Sequence, residues 1–197
     1  MSSTLTLASA LAKRPVVTLG GEAVARIKDT VFDGPAGQVT GFTLNGLGLL
    51  AGPLKQSLPW SGVHAVGPHA VLIPGREVLA ESAAVVASGE ASHGVVLGVR
   101  VLTDDGTEIG TVLDAVVDGG GRVVGFRIDA AEPLDHRGRS VFIPRGEALA
   151  VSGEALVVPA DAGGFTAEDL PGFTAQVELF RARQSAGRGR PVKGNPW

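Results

Sequence analysis

At 197 residues, with 29 glycines, 12 prolines and 44% apolar residues, the chain has room for one medium domain or two small ones, and its composition suits short strands and tight turns. It has no cysteine, which excludes disulfide frameworks, thiolate metal sites and cysteine nucleophiles. The net charge of −3 argues against overall attraction to nucleic acid, but it is uneven: six basic residues face six acidic ones over 1–90, six face eleven over 91–165, and five face three over 166–197.

Residues 1–5 show neither the basic stretch nor the apolar core of a secretory leader, so a cytoplasmic location is expected. A first β-branched strand is expected at Pro15–Thr18, entering a turn at Gly20-Gly21 that reverses the chain into a hairpin. Residues 34–54 are uncharged over the length of a membrane span, but glycines, two prolines, Gln38 and Asn45 interrupt them. They read as strand, turn and strand, with Thr40, Phe42 and Leu44 on one face. A longer loop leads to Leu58-Pro59-Trp60, and a last hairpin joins residues 63–66 to 70–73 before Pro74.

The same series then begins again. Shifted by 85 positions, Val16, Thr18, Gly21, Asp29, Val31, Asp33 and Gly34 fall on Val101, Thr103, Gly106, Asp114, Val116, Asp118 and Gly119. One residue is lost where Gly34-Pro35-Ala36-Gly37 faces Gly119-Gly120-Gly121, and at a shift of 84 Val39, Gly41 and Phe42 match Val123, Gly125 and Phe126. At 85 again, Pro59, Ala65, Val66, Ala70 and Pro74 match Pro144, Ala150, Val151, Ala155 and Pro159. Length changes confined to Gly/Pro segments are what a duplicated β-domain shows, because a one-residue slip inside a strand turns over its buried face.

The second copy therefore predicts strands at Arg100–Thr103, from Glu108 to the Asp118-Gly119 turn, and at 122–128. Alternation in the long strand puts Ile109, Thr111, Leu113 and Ala115 on one side and Val112, Asp114 and Val116 on the other. Val124, Phe126 and Ile128 share a face of the next strand, which makes Phe42 and Phe126 core candidates. Phe142-Ile143-Pro144 and a hairpin of 148–151 with 155–158 complete the copy. Short hairpin-linked strands leave exposed edges unless the sheet curls and closes, so each copy is expected to be a small barrel.

The order Val-Val, Gly-Glu, Asp-x-x-x-Asp, Val-x-Gly-Phe, followed by Leu58-Pro59-Trp60-Ser61 and the apolar run ending at Pro74, resembles the PRC-barrel family. That family includes the cytoplasmic domain of the photosynthetic reaction-centre H subunit and the C-terminal domain of the ribosome maturation factor RimM. The resemblance covers about 7–75 and 92–160, and the second copy departs from it by carrying Arg145 where the first has Trp60. It implies an all-β chain of two tandem small PRC-type β-barrels, each a module that packs against partner proteins, with no shared catalytic residues. The expected division is a first barrel over 1–75, a linker with a short helix over 76–91, a second barrel over 92–160, and a C-terminal helical segment and basic disordered tail over 161–197. Val78, Leu79, Ser82, Val85 and Val86 form the linker-helix stripe, and 166–169 and 174–183 read as further helical pieces.

No catalytic, cofactor or metal site is expected. Asp29/Asp33 and Asp114/Asp118 recur, but carboxylates four apart on a strand lie about 13 Å apart, too far to share one ion. His64, His69, His93 and His136 are scattered and read as surface or loop residues. Gly46-Leu47-Gly48-Leu49-Leu50-Ala51 formally fits a dinucleotide-binding turn, yet Gly52-Pro53 follows where a helix must begin. The stronger anomaly is that 34–75 holds a single charged residue, Lys55, whereas a free-standing barrel needs a solvated, charged outer surface. Part of that face is expected to be covered, either by the second barrel or a second copy of the chain, or by a protein partner docking on Leu47, Leu49, Leu50, Leu54 and Trp60.

A non-enzymatic adaptor is thus the leading expectation. A RimM-like ribosome or RNA role is the alternative, carried by the tail basic residues Arg181, Arg183, Arg188, Arg190 and Lys193. A membrane-complex role like that of the reaction-centre H subunit is the other, with no stretch that reads as a membrane span.

Overall fold

Glycine turns and β-branched runs produce the strands in the order the repeat implies. The computed structural model describes residues 5–33, 36–48, 50–87, 97–134, 138–146, 150–151 and 155–188. Leu49, His93, His136, residues 88–91 of the linker, 148–149 of the last hairpin and the tail beyond 188 lie outside the described residues. The first half forms β1 (Thr6–Leu7), β2 (Pro15–Thr18), β3 (Ala23–Asp33), β4 (Gln38–Asn45), β5 (Pro53–Pro59), β6 (Ala65–Val66), β7 (Val71–Ile73), β8 (Ala80–Glu81) and the short helix α1 (Ser82–Ala87). The second forms β9 (Arg100–Thr103), β10 (Glu108–Val117), β11 (Val123–Ala130), β12 (Ser140–Pro144), β13 (Ala150–Val151), β14 (Ala155–Val158) and the helix α2 (Leu170–Arg188).

Two sheets result, ordered β6-β7-β2-β3-β4-β5-β8 and β13-β14-β9-β10-β11-β12. Neighbours are antiparallel except where the chain returns to its own first strand, β7 beside β2 and β14 beside β9, both parallel. Matched threonines close the first turn of each copy. The Oγ1 of Thr18 accepts the Glu22 amide at 3.2 Å, and that of Thr103 accepts the Thr107 amide at 3.1 Å. Phe42 and Phe126 are buried, as their faces imply, within one continuous apolar cluster that also takes in Val16, Leu58 and Ile73 from the first sheet and Val101, Ile143 and Leu156 from the second.

The long strands do not alternate as simply as their sequences suggest. β10 steps from Val112 opposite Ile128 to Asp114 opposite Arg127, and β3 from Ile27 opposite Leu44 to Asp29 opposite Thr43. Leu113 and Lys28, at matched positions, are the extra residues of a β-bulge in each copy. Leu113 consequently faces solvent, 42% exposed, while Val112 and Ala115 both turn inward. The expected grouping of Leu113 with Ala115 therefore fails, because the bulge resets the pleat between them.

Three further differences concern the chain outside the repeats. Thr6 and Leu7 do not join the first sheet. They pair with Val117 and Val116 on β10, along an edge that β9, which pairs only as far as Thr111, leaves open. The chain then returns to the first sheet, where the Lys13 amide donates to the Ile27 carbonyl at 2.8 Å.

Among the described residues of the linker, α-helix is confined to α1, because Ala80 and Glu81 pair with Ser57 and Gln56 and cover the edge of β5. At the C-terminus only the second of the two expected helical pieces, 174–183, is helical, as part of one 19-residue helix, which includes Arg181 and Arg183 of the segment read as tail. Its start is set by Asp169, whose Oδ1 accepts the Gly172 amide at 2.7 Å. The expected piece at 166–169 is not helical, since Ala167 exchanges backbone hydrogen bonds of 2.8 and 3.1 Å with Phe142.

The helices occupy equivalent places. Val85 of α1 packs where a Cβ on Gly41 would stand, 2.6 Å from its Cγ1, and Phe173 of α2 packs in the same way over Gly125, 2.3 Å from its Cζ. Gly41 and Gly125 are a matched pair of the repeat, and each keeps a sheet flat enough to receive a side chain at close range. Phe173 joins Val116, Val124, Phe142 and Val177 in a second apolar cluster, with its ring 5.5 Å from that of Phe142.

The sheets meet through their matched turns. Gln38 and Arg122 form an antiparallel bridge, flanked by hydrogen bonds from the Val39 amide to the Gly121 carbonyl and from the Val123 amide to the Gly37 carbonyl, both 2.8 Å. Gln38 and Arg122 are matched under the shift of 84, and the same shift carries the Val39–Gly121 bond onto the Val123–Gly37 bond. Exchanging the halves therefore maps the contact onto itself, as in a two-fold homodimer interface.

Candidate functional site

Side chains extend the backbone symmetry of the seam and then break it. Trp60, on the 3-10 turn after β5, lies with its ring 5.9 Å from Phe42 and over Gly121, where a Cβ would fall 2.5 Å from its Cε2. Arg145, its matched residue, lies over Gly37, where a Cβ would fall 2.1 Å from its Cζ. Gly37 and Gly121 both have positive φ, 63° and 78°, so each is suited to glycine by conformation as well as by space.

These contacts divide the residues singled out for docking. Trp60 is half-buried in the seam and belongs to the contact between barrels. Leu47, Leu50 and Leu54 sit on the β4–β5 hairpin and are 44%, 100% and 36% exposed. The register from Gly41 opposite Pro59 to Asn45 opposite Pro53 spans four residues, about 13 Å at the usual strand rise. That separation places the tip leucines and the indole at opposite ends of one hairpin, on different surfaces.

The recurring aspartates hold local structure. Asp33 Oδ1 accepts the Ala36 amide at 2.9 Å, and Asp118 Oδ1 accepts those of Gly120 and Arg122 at 2.9 and 3.0 Å. Asp29 is exposed and pairs with Lys28 at 3.3 Å. Asp114, its equivalent, is 2% exposed, covered by Ser9 of the crossing N-terminal segment. His64 and His69 are exposed. Among the described residues no three His, Asp or Glu side chains converge as a metal site would require.

Two cavities flank the seam. One of about 390 Å³ lies on the Trp60 side and is bordered by Arg14 and Asp118. Arg14 donates to the Gly67 carbonyl at 2.6 Å, and burial lowers its pKa. The other, about 560 Å³, lies beside Arg145 and is bordered by Arg122, Arg181, Val177 and Phe180. Sequence reading did not find it, because its three arginines come from a turn, a post-strand segment and a helix, and no local pattern links them.

The PRC-barrel domain family model matches this chain twice, over residues 6–80 and 95–164. The chain belongs to the PRC-barrel family. Two PRC-barrels in tandem account for the doubled sheet order, the matched bulges and the reciprocal seam. No curated protein matches the chain in sequence.

Proposed function

We propose that this tandem PRC-barrel chain is a non-catalytic protein-binding module, a cytoplasmic adaptor in which two barrels joined as one body display the tip of the β4–β5 hairpin to a protein partner. The observation that carries this reading is the exposure of Leu47, Leu50 and Leu54 on one tip, with Leu50 wholly in solvent, in a stretch whose single charge is Lys55. Grouped exposed leucines are costly to hydrate, and a partner that buries them gains roughly 1.5–3 kcal/mol for each fully covered side chain. The hydrogen-bonded seam and the crossing strand β1 support treating the barrels as a single body.

A protein partner is favoured over RNA by the engagement of the basic residues described in α2. Arg181 pairs with Glu178 at 3.3 Å. Arg183 pairs with Asp161 at 3.3 Å and lies 5.9 Å from the Phe165 ring centre. Among the described residues no helix is long and apolar enough to cross a membrane, which gives the membrane-complex reading no support from α2.

Affinity capture with the full chain and with a Leu50→Asp, Leu54→Asp variant tests the proposal. A partner retained by the first and lost by the second, with unchanged thermal unfolding of both, is the expected result. Equal recovery of every captured protein by the two would overturn it.

A further inference from the structure

The shift of 85 that aligns the two copies carries Arg14 onto Val99, and the backbone makes the same bond at both positions. The Ile27 amide donates to the Arg14 carbonyl and the Val112 amide to the Val99 carbonyl, each at 2.9 Å. The side chains differ. Val99 is 8% exposed, an apolar residue closing the entry to β9, whereas the first copy places a half-buried guanidinium ahead of β2. Burial lowers its pKa, so the charge carries a desolvation cost that the valine of the other copy avoids.

The contact that Arg14 makes does not offset its charge. It donates through Nη1 to the Gly67 carbonyl at 2.6 Å, a neutral acceptor that occupies one of its five N–H groups, and among the described residues no carboxylate pairs with it. Asp118, from the second barrel, borders the same cavity. Its Oδ1 accepts the amides of Gly120 and Arg122, while its Oδ2 has no hydrogen bond among the described residues. A cation from one barrel and an anion from the other thus border one space without pairing.

The rest of the lining includes Leu11, Trp60 and Val66, which give the cavity an apolar wall. Its volume of about 390 Å³ falls within the range of small-molecule sites, roughly 300–1,000 Å³. A ligand with one charge would be attracted by Arg14 or Asp118 and repelled by the other. A zwitterion satisfies both: a carboxylate matches the paired N–H donors of a guanidinium, and an ammonium supplies donors to the open carboxylate oxygen.

We propose that the seam cavity between Arg14 and Asp118 binds a free α-amino acid with an apolar side chain, its carboxylate on Arg14, its ammonium on Asp118 and its side chain against Leu11, Trp60 and Val66. This site is separate from the leucine hairpin and does not depend on that hairpin's role.

Isothermal titration of the full chain with L-leucine, L-valine and L-phenylalanine tests the assignment, with N-acetyl-L-leucine and L-leucinamide as ligands lacking one charge. At least one of the three amino acids is expected to bind once per chain, and L-leucine at least tenfold more tightly than either blocked form. Arg14→Val installs the residue of the matched position and should weaken binding at least tenfold. Asp118→Asn keeps the oxygen that accepts the Gly120 and Arg122 amides, so it should leave the turn intact and weaken binding to the same extent, and it carries the test if the valine variant does not fold. Three results would each overturn the proposal: no saturable binding of any of the three amino acids, unchanged affinity in Asp118→Asn, or N-acetyl-L-leucine binding as tightly as L-leucine.

Discussion

The backbone amide of Ser9 donates to Oδ1 of Asp114 at 3.2 Å, across 105 residues of chain, and its hydroxyl donates to the other carboxylate oxygen. Asp114 also accepts the Ala115 amide at 2.9 Å, so a buried carboxylate ties the N-terminal segment to the second barrel. Asp114→Ala is expected to cost about 2–3 kcal/mol, the range for hydrogen bonds to a charged group plus unpaired donors, as measured by urea unfolding. Hydrogen exchange at Leu7 and Ala8 should accelerate in parallel. The matched Asp29 is exposed, and Asp29→Ala should change stability by no more than about 0.5 kcal/mol.

Glycines at positive φ separate strain from crowding. Gly121→Ala meets both, a left-handed backbone at 78° and the Trp60 indole, and is expected to lose about 2–4 kcal/mol. Gly106→Ala meets only the backbone cost, since nothing lies within 4 Å of its Cβ position at φ 86°, and should lose about 1 kcal/mol. Equal losses in denaturant titrations would mean that Trp60 yields freely and that the seam is not tightly packed.

The two helices should differ in what they contribute. Phe173 is fully buried beneath α2, and Phe173→Ala is expected to cost about 3–5 kcal/mol. Val85→Ala removes the smaller equivalent on α1 and should cost about 1–2 kcal/mol. Thermal unfolding followed by circular dichroism measures both, and a loss of helical signal before the strand signal in the first variant would show α2 detaching on its own.

Acid should weaken the fold through identifiable carboxyls. A hydrogen bond from Arg76 and then its charge hold Glu22 below the ordinary carboxylate range, and hydrogen bonds from Thr103 and then Thr107 do the same for Asp105. A carboxyl depressed on folding adds stability above its unfolded pKa and loses it as the pH falls through the folded value. Unfolding midpoints should therefore decline on acidification from about pH 5 to about pH 3. Asp105→Asn and Glu22→Gln should each flatten part of that decline, and the effect is small because both groups are exposed. A slope unchanged in both variants would assign the acid sensitivity elsewhere.

Much of this architecture was legible in the residues because turns and strands leave different marks. The deletion at Gly119-Gly120-Gly121 located a turn, and the faces of Phe42 and Phe126 located the core. The bulges at Lys28 and Leu113 were not legible, since an unpaired residue inside a strand changes the register without changing composition. Thr6 and Leu7 are too few to show any period, so their crossing to β10 depends on an open edge that only the folded chain reveals. Trp60 had the character of a docking residue, an aromatic in a charge-poor stretch, but its occupant is a glycine 61 positions further along the same chain. The gathering of Arg122, Arg145 and Arg181 was hidden for the same reason, because proximity in space leaves no local trace.

Covalent linkage alters what the seam must satisfy. In a dimer of identical chains any replacement at the contact enters on both sides at once and has to suit its own image. Here position 60 and position 145 are independent letters, and a tether keeps the halves at a mutual concentration on the order of millimolar whatever each becomes. One half places an indole over its partner's glycine, and the other places a guanidinium there.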